Sequence, residues 1–380
     1  MDSKVSKKRF LDEMELTLID NNKLMIEETI DQTTKGLVFI ECDLRELKHE
    51  NGCQLIDHSF ILKKYEILLM SRINEYIEDL EYNFPDSKFS PYINLYLQKN
   101  KECKKLSRQN EIKKDIDFLI ALKAGLHSDD FKKEIAQQRK YASKYKKEVQ
   151  DYINGLFDYR SRLLVIRIDL SYRKFLELNR INQSCNPSVI HGFFTKITNR
   201  TNINKPFVKR AQKLSFLKDW SLEVQKHRNM LIKQLKKQYS KGFVGYIWKL
   251  EYTEIKSFHY HMMFFLDASE HREDVTIAKN IGELWVNEIT QGDGLYWNCN
   301  ANKQHYKNLG VGVINHHDTA LRDNMLNTAF YLVKKDYLIR SVMFNAKNRS
   351  FGKGQIPQKS KSGRPRKESI KGFDLERNTN

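Results

Sequence analysis

A chain of 380 residues with 40% hydrophobic and 30% charged residues can bury a full core without disulfides or a structural metal. Its five cysteines are scattered, with no C-x-x-C pair, and no charge-free leader or membrane-length apolar run occurs, which excludes a disulfide scaffold and a spanning helix and points to a cytoplasmic protein. A net charge of +18 calls for a polyanionic partner, and its distribution separates two parts: residues 1–90 hold 12 basic against 19 acidic side chains, a net of −7, leaving +25 on residues 91–380.

Residues 1–155 read as a mostly helical region without a functional motif. Apolar spacing is helical at Phe10, Leu11, Met14 and residues 16–19, and again over residues 61–77. Residues 36–42 fit a short strand or a buried connector. Pro85 and Pro91 mark a break over residues 81–97, after which a lysine-rich helical pattern runs from Glu102 to Tyr152, interrupted at residues 125–130.

A second domain is expected over residues 156–350. It opens with a β-branched strand at residues 162–173, in which Arg167 and Asp169 alternate with apolar residues. The segment after Pro187 is nearly single-signed: residues 196–241 carry 13 basic and 2 acidic side chains. Its apolar spacing through Leu217, Trp220, Val224, Met230, Leu231 and Leu235 predicts a packed helix whose outer face can meet phosphates.

Residues 243–266 predict two apolar strands around a short polar turn. Residues two apart in a strand share a face, so His259 and His261 point to one side. A hairpin centred on Ile255 sets Glu251 opposite His259 on that same face. Two imidazoles and a carboxylate suit a divalent metal with open coordination positions, whereas a half-buried strand with incidental histidines is the plainer reading. Glu254 and the pair His316 and His317 offer competing ligands.

Residues 277–289 have helical spacing, Gly292–Gly294 form a turn, and residues 296–299 and 310–314 read as strands joined by a loop containing His305. No G-x-x-x-x-G-K-[ST] occurs anywhere, which excludes a phosphate-loop motor. The last helix is expected over residues 318–341, capped by Asp318 or Thr319, with Met325, Leu326, Ala329, Phe330, Val333 and Tyr337 on one arc. Tyr331 faces the other way, among Asn324, Asn327, Lys334 and Lys335. Residues 351–380 form a basic, flexible tail in which Gly363-Arg364-Pro365-Arg366-Lys367 has the composition of a minor-groove arm.

The order of strand, basic helix, His259-Tyr-His261 hairpin, helix, strands and Tyr331-Leu-Val-Lys334 resembles the HUH endonucleases that initiate rolling-circle replication. Arg167-Ile-Asp169-Leu, Leu250-Glu251, Gly310-Val-Gly-Val and Arg349-Ser-Phe-Gly-Lys-Gly extend the resemblance to the inovirus-type replication proteins and the YagK/YfjJ C-terminal domain family. It covers residues 162 to about 366. The resemblance implies an α+β, ferredoxin-like HUH domain with a central antiparallel sheet and helices. It further implies Mg²⁺ or Mn²⁺ held by His259, His261 and Glu251, with Tyr331 as a single nucleophile on a scissile DNA phosphate. Lys334 would stabilise phosphate charge or lower the tyrosine pKa. Lys335, Arg364, Arg366 and Lys367 would contact DNA, either a single strand or an origin hairpin, and a host helicase and polymerase would act on the product. A prophage DNA-binding regulator that keeps the fold without the chemistry is the rival reading, and an RNA-binding protein with a structural metal lacks a cysteine ligand set.

Overall fold

The computed structural model describes residues 41, 44–45, 47–48, 87–105, 111–173, 206–253, 257–306, 310–334, 339–341 and 349–358. The helical patterns expected at residues 10–19 and 61–77, the turn containing Glu254, the residues 335–338 that include Lys335 and Tyr337, and the arginine-bearing tail lie outside the described residues.

A short strand, β1 (Ser87–Phe89), precedes helix α1 (Pro91–Lys105), so the expected break ends earlier than residue 97. Pro91 opens the helix because a first-turn residue needs no amide donor, and Ser90 receives the Ile93 amide at its hydroxyl. Helix α2 (Glu111–His127) stops at Ser128, whose hydroxyl caps the 31-residue α3 (Asp129–Tyr159) by accepting from the Phe131 amide at 3.2 Å. The interruption read at residues 125–130 is this cap. Tyr92, Tyr96, Phe118, Leu122, Leu126, Phe131 and Ile135 close a first core, reached also by the helical residues Leu44 and Leu47.

A second core is built on a sheet. Strand β2 (Arg162–Tyr172) leads to helix α4 (Pro206–Gln238), then β3 (Phe243–Thr253) and β4 (Ser257–Asp267) form a hairpin. Helix α5 (Asp274–Leu284) runs on into a π-helical turn at Trp285–Ile289 and returns as β5 (Gly294–Asn298). The strand order β5-β2-β4-β3, antiparallel throughout, is the βαββαβ arrangement of a ferredoxin-like layer, as expected. Two further strands enlarge it. β6 (Gly312–Asn315) pairs the first half of β2, and β8 (Phe351–Lys353) pairs β3, so the first residues of the expected tail are part of the sheet.

Alternation along the strands separates two faces. Leu164, Ile166, Ile168 and Leu170 of β2, with Tyr260, Met262, Phe264 and Leu266 of β4, pack under α4 and α5. The opposite face holds Leu163, Val165, Ile247, Met263 and Phe265, covered by the second half of α3 and by α6 (Thr319–Lys334). Helix α3 therefore contributes to both cores, and the expected boundary at residues 155 and 156 falls inside its final turn.

Helix α6 starts where expected, with the Asp318 carboxylate accepting from the Leu321 amide at 3.0 Å. The helix expected to reach residue 341 stops short of Ile339, because Ile339–Ser341 form β7 and pair with β1, a partner some 250 residues away in sequence that local periodicity cannot register. Its buried arc is centred on Met325, Ala329 and Leu332, a rotation toward Leu332 relative to the expected arc. The chain before β6 passes so close to this helix that a Cβ at Gly310 would fall on the Met325 backbone. Strand pairing accordingly begins at Gly312, two residues later than predicted.

β2 has two partners on one edge, β5 over residues 168–172 and β6 over residues 162–165. Buried Asn300 fills the gap between them. Its carboxamide oxygen accepts from the Arg167 amide at 2.8 Å, and its nitrogen donates to the Val165 carbonyl at 3.0 Å, replacing the missing strand. Asn300→Ala leaves both groups buried without a partner, so chemical denaturation should show a loss of about 2–3 kcal/mol.

Candidate metal centre

The face under α3 and α6 is apolar only where those helices cover it. Farther along the same strands its residues become Arg167 and Asp169 on β2, Lys249 and Glu251 on β3, and His259 and His261 on β4. Register arranges them in rows: Lys249 lies beside His261 and His261 beside Asp169, while Glu251 lies beside His259. The hairpin pairing predicted about Ile255 is the one adopted.

Both histidines are buried, with 5% and 8% of their surface exposed. His261 Nδ1 lies 2.7 Å from Asp169 Oδ1, and His259 Nδ1 lies 3.1 Å from the Ser257 carbonyl. Each contact makes Nδ1 the donor, which leaves Nε2 with its lone pair for a metal. Ser257 takes a left-handed φ of 54° at the start of β4. Glu251 Oε2 lies 3.6 Å from His259 Nε2 and 3.4 Å from His261 Nε2. The imidazole planes are turned 81° apart.

Donor atoms about 2.1 Å from one ion in tetrahedral array stand about 3.4 Å from each other, so these separations fit a shared divalent cation. His261 Nε2 is buried and makes no hydrogen bond of good geometry, which a metal bond would satisfy. Among the described residues, Glu251, His259 and His261 are the cluster able to hold an ion. His316 and His317, the competing nitrogens, are exposed in the turn before α6.

Burial works against charge on His261, but the carboxylates of Asp169 and Glu251 outweigh it and hold its pKa above the ordinary histidine value. A proton on this ring competes with a cation for it, so metal binding would weaken as the pH falls. Beside the triad, Arg167 sets its guanidinium 5.5 Å from the centre of the Tyr306 ring, and buried Cys299 lies next to both. Burial foremost pushes the Cys299 thiol up to about 12 and the Tyr306 hydroxyl well above the usual tyrosine range. Neither is a nucleophile near neutral pH.

Helix α6 carries Tyr331 and Lys334 as positions of its last turn, described by their backbone, and it packs on this same sheet face through Met325, Ala329 and Leu332. The candidate DNA contacts Lys335, Arg364, Arg366 and Lys367 lie outside the described residues. Three site residues carry no assigned role in the sequence reading: Asp169, which orients His261, and the buried cations Arg167 and Lys249. Their signal was available, since each is a charged residue alternating with apolar ones in a strand, at positions that share a face with the histidines.

Among the described residues no helix is long and apolar enough to cross a membrane. A family model described as the YagK/YfjJ C-terminal domain matches residues 127–354, more than half of the chain. No curated protein and no solved structure matches.

Mn²⁺ titrated into the full chain and followed by calorimetry or electron paramagnetic resonance should bind at one site. Asp169→Asn should weaken it about 10–100-fold by loosening His261, and His259→Ala or His261→Ala by more than that. Wild-type affinity in the double histidine variant would remove the assignment.

Proposed function

We propose that this chain, which belongs to the YagK/YfjJ C-terminal domain family, is an HUH-type nicking and joining enzyme for single-stranded DNA. It would initiate rolling-circle replication of a phage, prophage or plasmid. One observation carries the reading: two strand-borne histidines, each oriented through Nδ1, converge with Glu251 on the sheet face against which a Tyr-x-x-Lys helix packs. A DNA-binding regulator needs charge but has no use for a preorganised ligand set.

When bound, Mg²⁺ or Mn²⁺ supplies Lewis-acid polarisation of a phosphate oxygen. His259, His261 and Glu251 hold it, and Asp169 and the Ser257 carbonyl fix the two rings so that little reorganisation is needed. The Tyr331 oxygen attacks phosphorus, the bond from phosphorus to the 3′-oxygen breaks, and the products are a 5′-phosphotyrosine and a 3′-hydroxyl that has taken up a proton. That hydroxyl is a primer for a host polymerase working behind a host helicase. Lys334, one helical turn beyond Tyr331, has two available roles, offsetting charge on the phosphate or favouring the phenolate. A second strand end can reverse the step and join, since the phosphotyrosine retains the energy of the phosphodiester.

An unperturbed tyrosine has a pKa near about 10, so attack near neutral pH depends on this environment. Tyr331→Phe should keep the fold and DNA binding but abolish the denaturant-resistant protein–DNA adduct formed with Mn²⁺ and single-stranded DNA. Mass spectrometry of the wild-type adduct should place the phosphate on the peptide containing Tyr331. A wild-type chain giving no adduct with any divalent metal would return the DNA-binding regulator to first place.

A further inference from the structure

Helix α3 packs at both ends and is exposed along its middle. Phe131 and Ile135 are buried in the first core and Val149, Tyr152, Ile153, Leu156 and Phe157 in the second, yet residues 139–147 are exposed without exception. Ala142 lies seven residues from both Ile135 and Val149, on the arc that packs at either end, and it too is exposed. A helix that is only bridging two cores usually carries mixed charges over such a stretch. Here residues 135–147 hold five basic side chains and no carboxylate.

Two large rings accompany them: Tyr141 is 52% and Tyr145 40% exposed, one helical turn apart. At 100° per residue Lys140, Lys144 and Lys147 fall within an arc of about 60°, and the two tyrosines form a second strip alongside it. The segment is also joined to the metal-bearing face. The Tyr145 ring meets Phe351 edge-on at 6.3 Å, and Phe351 pairs with Lys249, which pairs with His261. On the other side, Lys146 Nζ stands 5.1 Å over the ring of Phe330, the residue before Tyr331.

We infer that residues 139–147 of α3 are a binding track for a single-stranded polynucleotide, with bases stacked on Tyr141 and Tyr145 and phosphates neutralised by Lys140, Lys144 and Lys147. Stacking on exposed tyrosines requires bases that are not already stacked in a duplex, and the parallel strip of ammonium groups meets a backbone of regular negative charge. A protein partner would need an acidic surface that also offers flat rings, which fits this pattern less well. That the track leads the strand to the metal face rests on the function proposed above, whereas the track itself does not.

Binding of a fluorescein-labelled oligodeoxythymidylate to the full chain, measured by anisotropy in EDTA, tests the track without any chemistry. Tyr141→Ala with Tyr145→Ala should weaken single-strand binding at least about tenfold and leave duplex binding unchanged, and the corresponding double Phe variant should bind as wild type does. Replacing Lys140, Lys144 and Lys147 by Ala should reduce the salt slope of the affinity by about 2. Wild-type affinity in the double Ala variant, or an equal loss for duplex and single strand, would overturn the track. Tyr331→Phe should not affect this measurement, so a chain that binds through the tyrosines but forms no adduct defeats the nicking reading alone.

Discussion

Strand β4 has no residue facing water. All eleven of its positions are buried, between β2 and β3 within the sheet, under α4 and α5 on one face and, over its second half, under α3 and α6 on the other. Six of them are apolar and satisfied by packing, Tyr260 donates to the Val224 carbonyl and Asp267 pairs with Arg160, but His259 and His261 carry ring nitrogens that cannot be left unpartnered in such a place. Neighbouring strands answer this need. β2 brings Asp169 to one ring, the Ser257 carbonyl serves the other, and β3 brings Glu251 between them. Because a slip of one residue would turn any of these groups to the opposite face, the registers of β2 and β3 against β4 are fixed by the same demand.

The covering of the sheet is unequal, and the inequality makes the site. Under α4 and α5 one face is apolar from Leu164 to Tyr172 and from Phe258 to Leu266. On the other, α3 and α6 cover only the half that carries Leu163, Val165, Met263 and Phe265. Charged side chains occupy the remaining half, where Arg167, Lys249 and both histidines are still buried. Grouping buried cations with carboxylates limits the desolvation cost of each, although an apolar set would be the more stable choice. Such a concentration of local cost in one place is what a functional surface looks like.

The N-terminal helical region is tied into this arrangement at three places. β1 pairs with β7, the strand that follows α6, and Tyr252, next to Glu251, packs against the first core. Helix α3 belongs to both cores, and its middle reaches the sheet face that carries the histidines through Tyr145 and Lys146. Arg322 adds a cross-link, donating to Asn154 at 2.8 Å and lying over Phe157, which holds α6 to α3. Movement of the N-terminal region would therefore be felt at the helix that carries Tyr331.

The sequence alone determined the parts whose signals are local. A β-branched apolar run with Arg167 and Asp169 alternating placed β2, two apolar runs around a short polar turn placed β3 and β4, and hairpin symmetry about Ile255 paired Glu251 with His259, because a short turn leaves few registers. Asp318 marked the start of α6 through the capping preference of short polar side chains. What lay beyond its reach was set by partners distant in the chain. Asp169 stands 92 residues from the imidazole it orients, Asn300 replaces a strand for residues more than 130 positions earlier, and β7 exists only because β1 is there to pair with it. The helix extended to residue 341 was wrong for that reason, as local composition describes what a segment can do and tertiary contacts decide which option it takes. Likewise the exposure of the lysine-rich middle of α3 between two cores, against the face that holds the histidines, is a property of the folded chain.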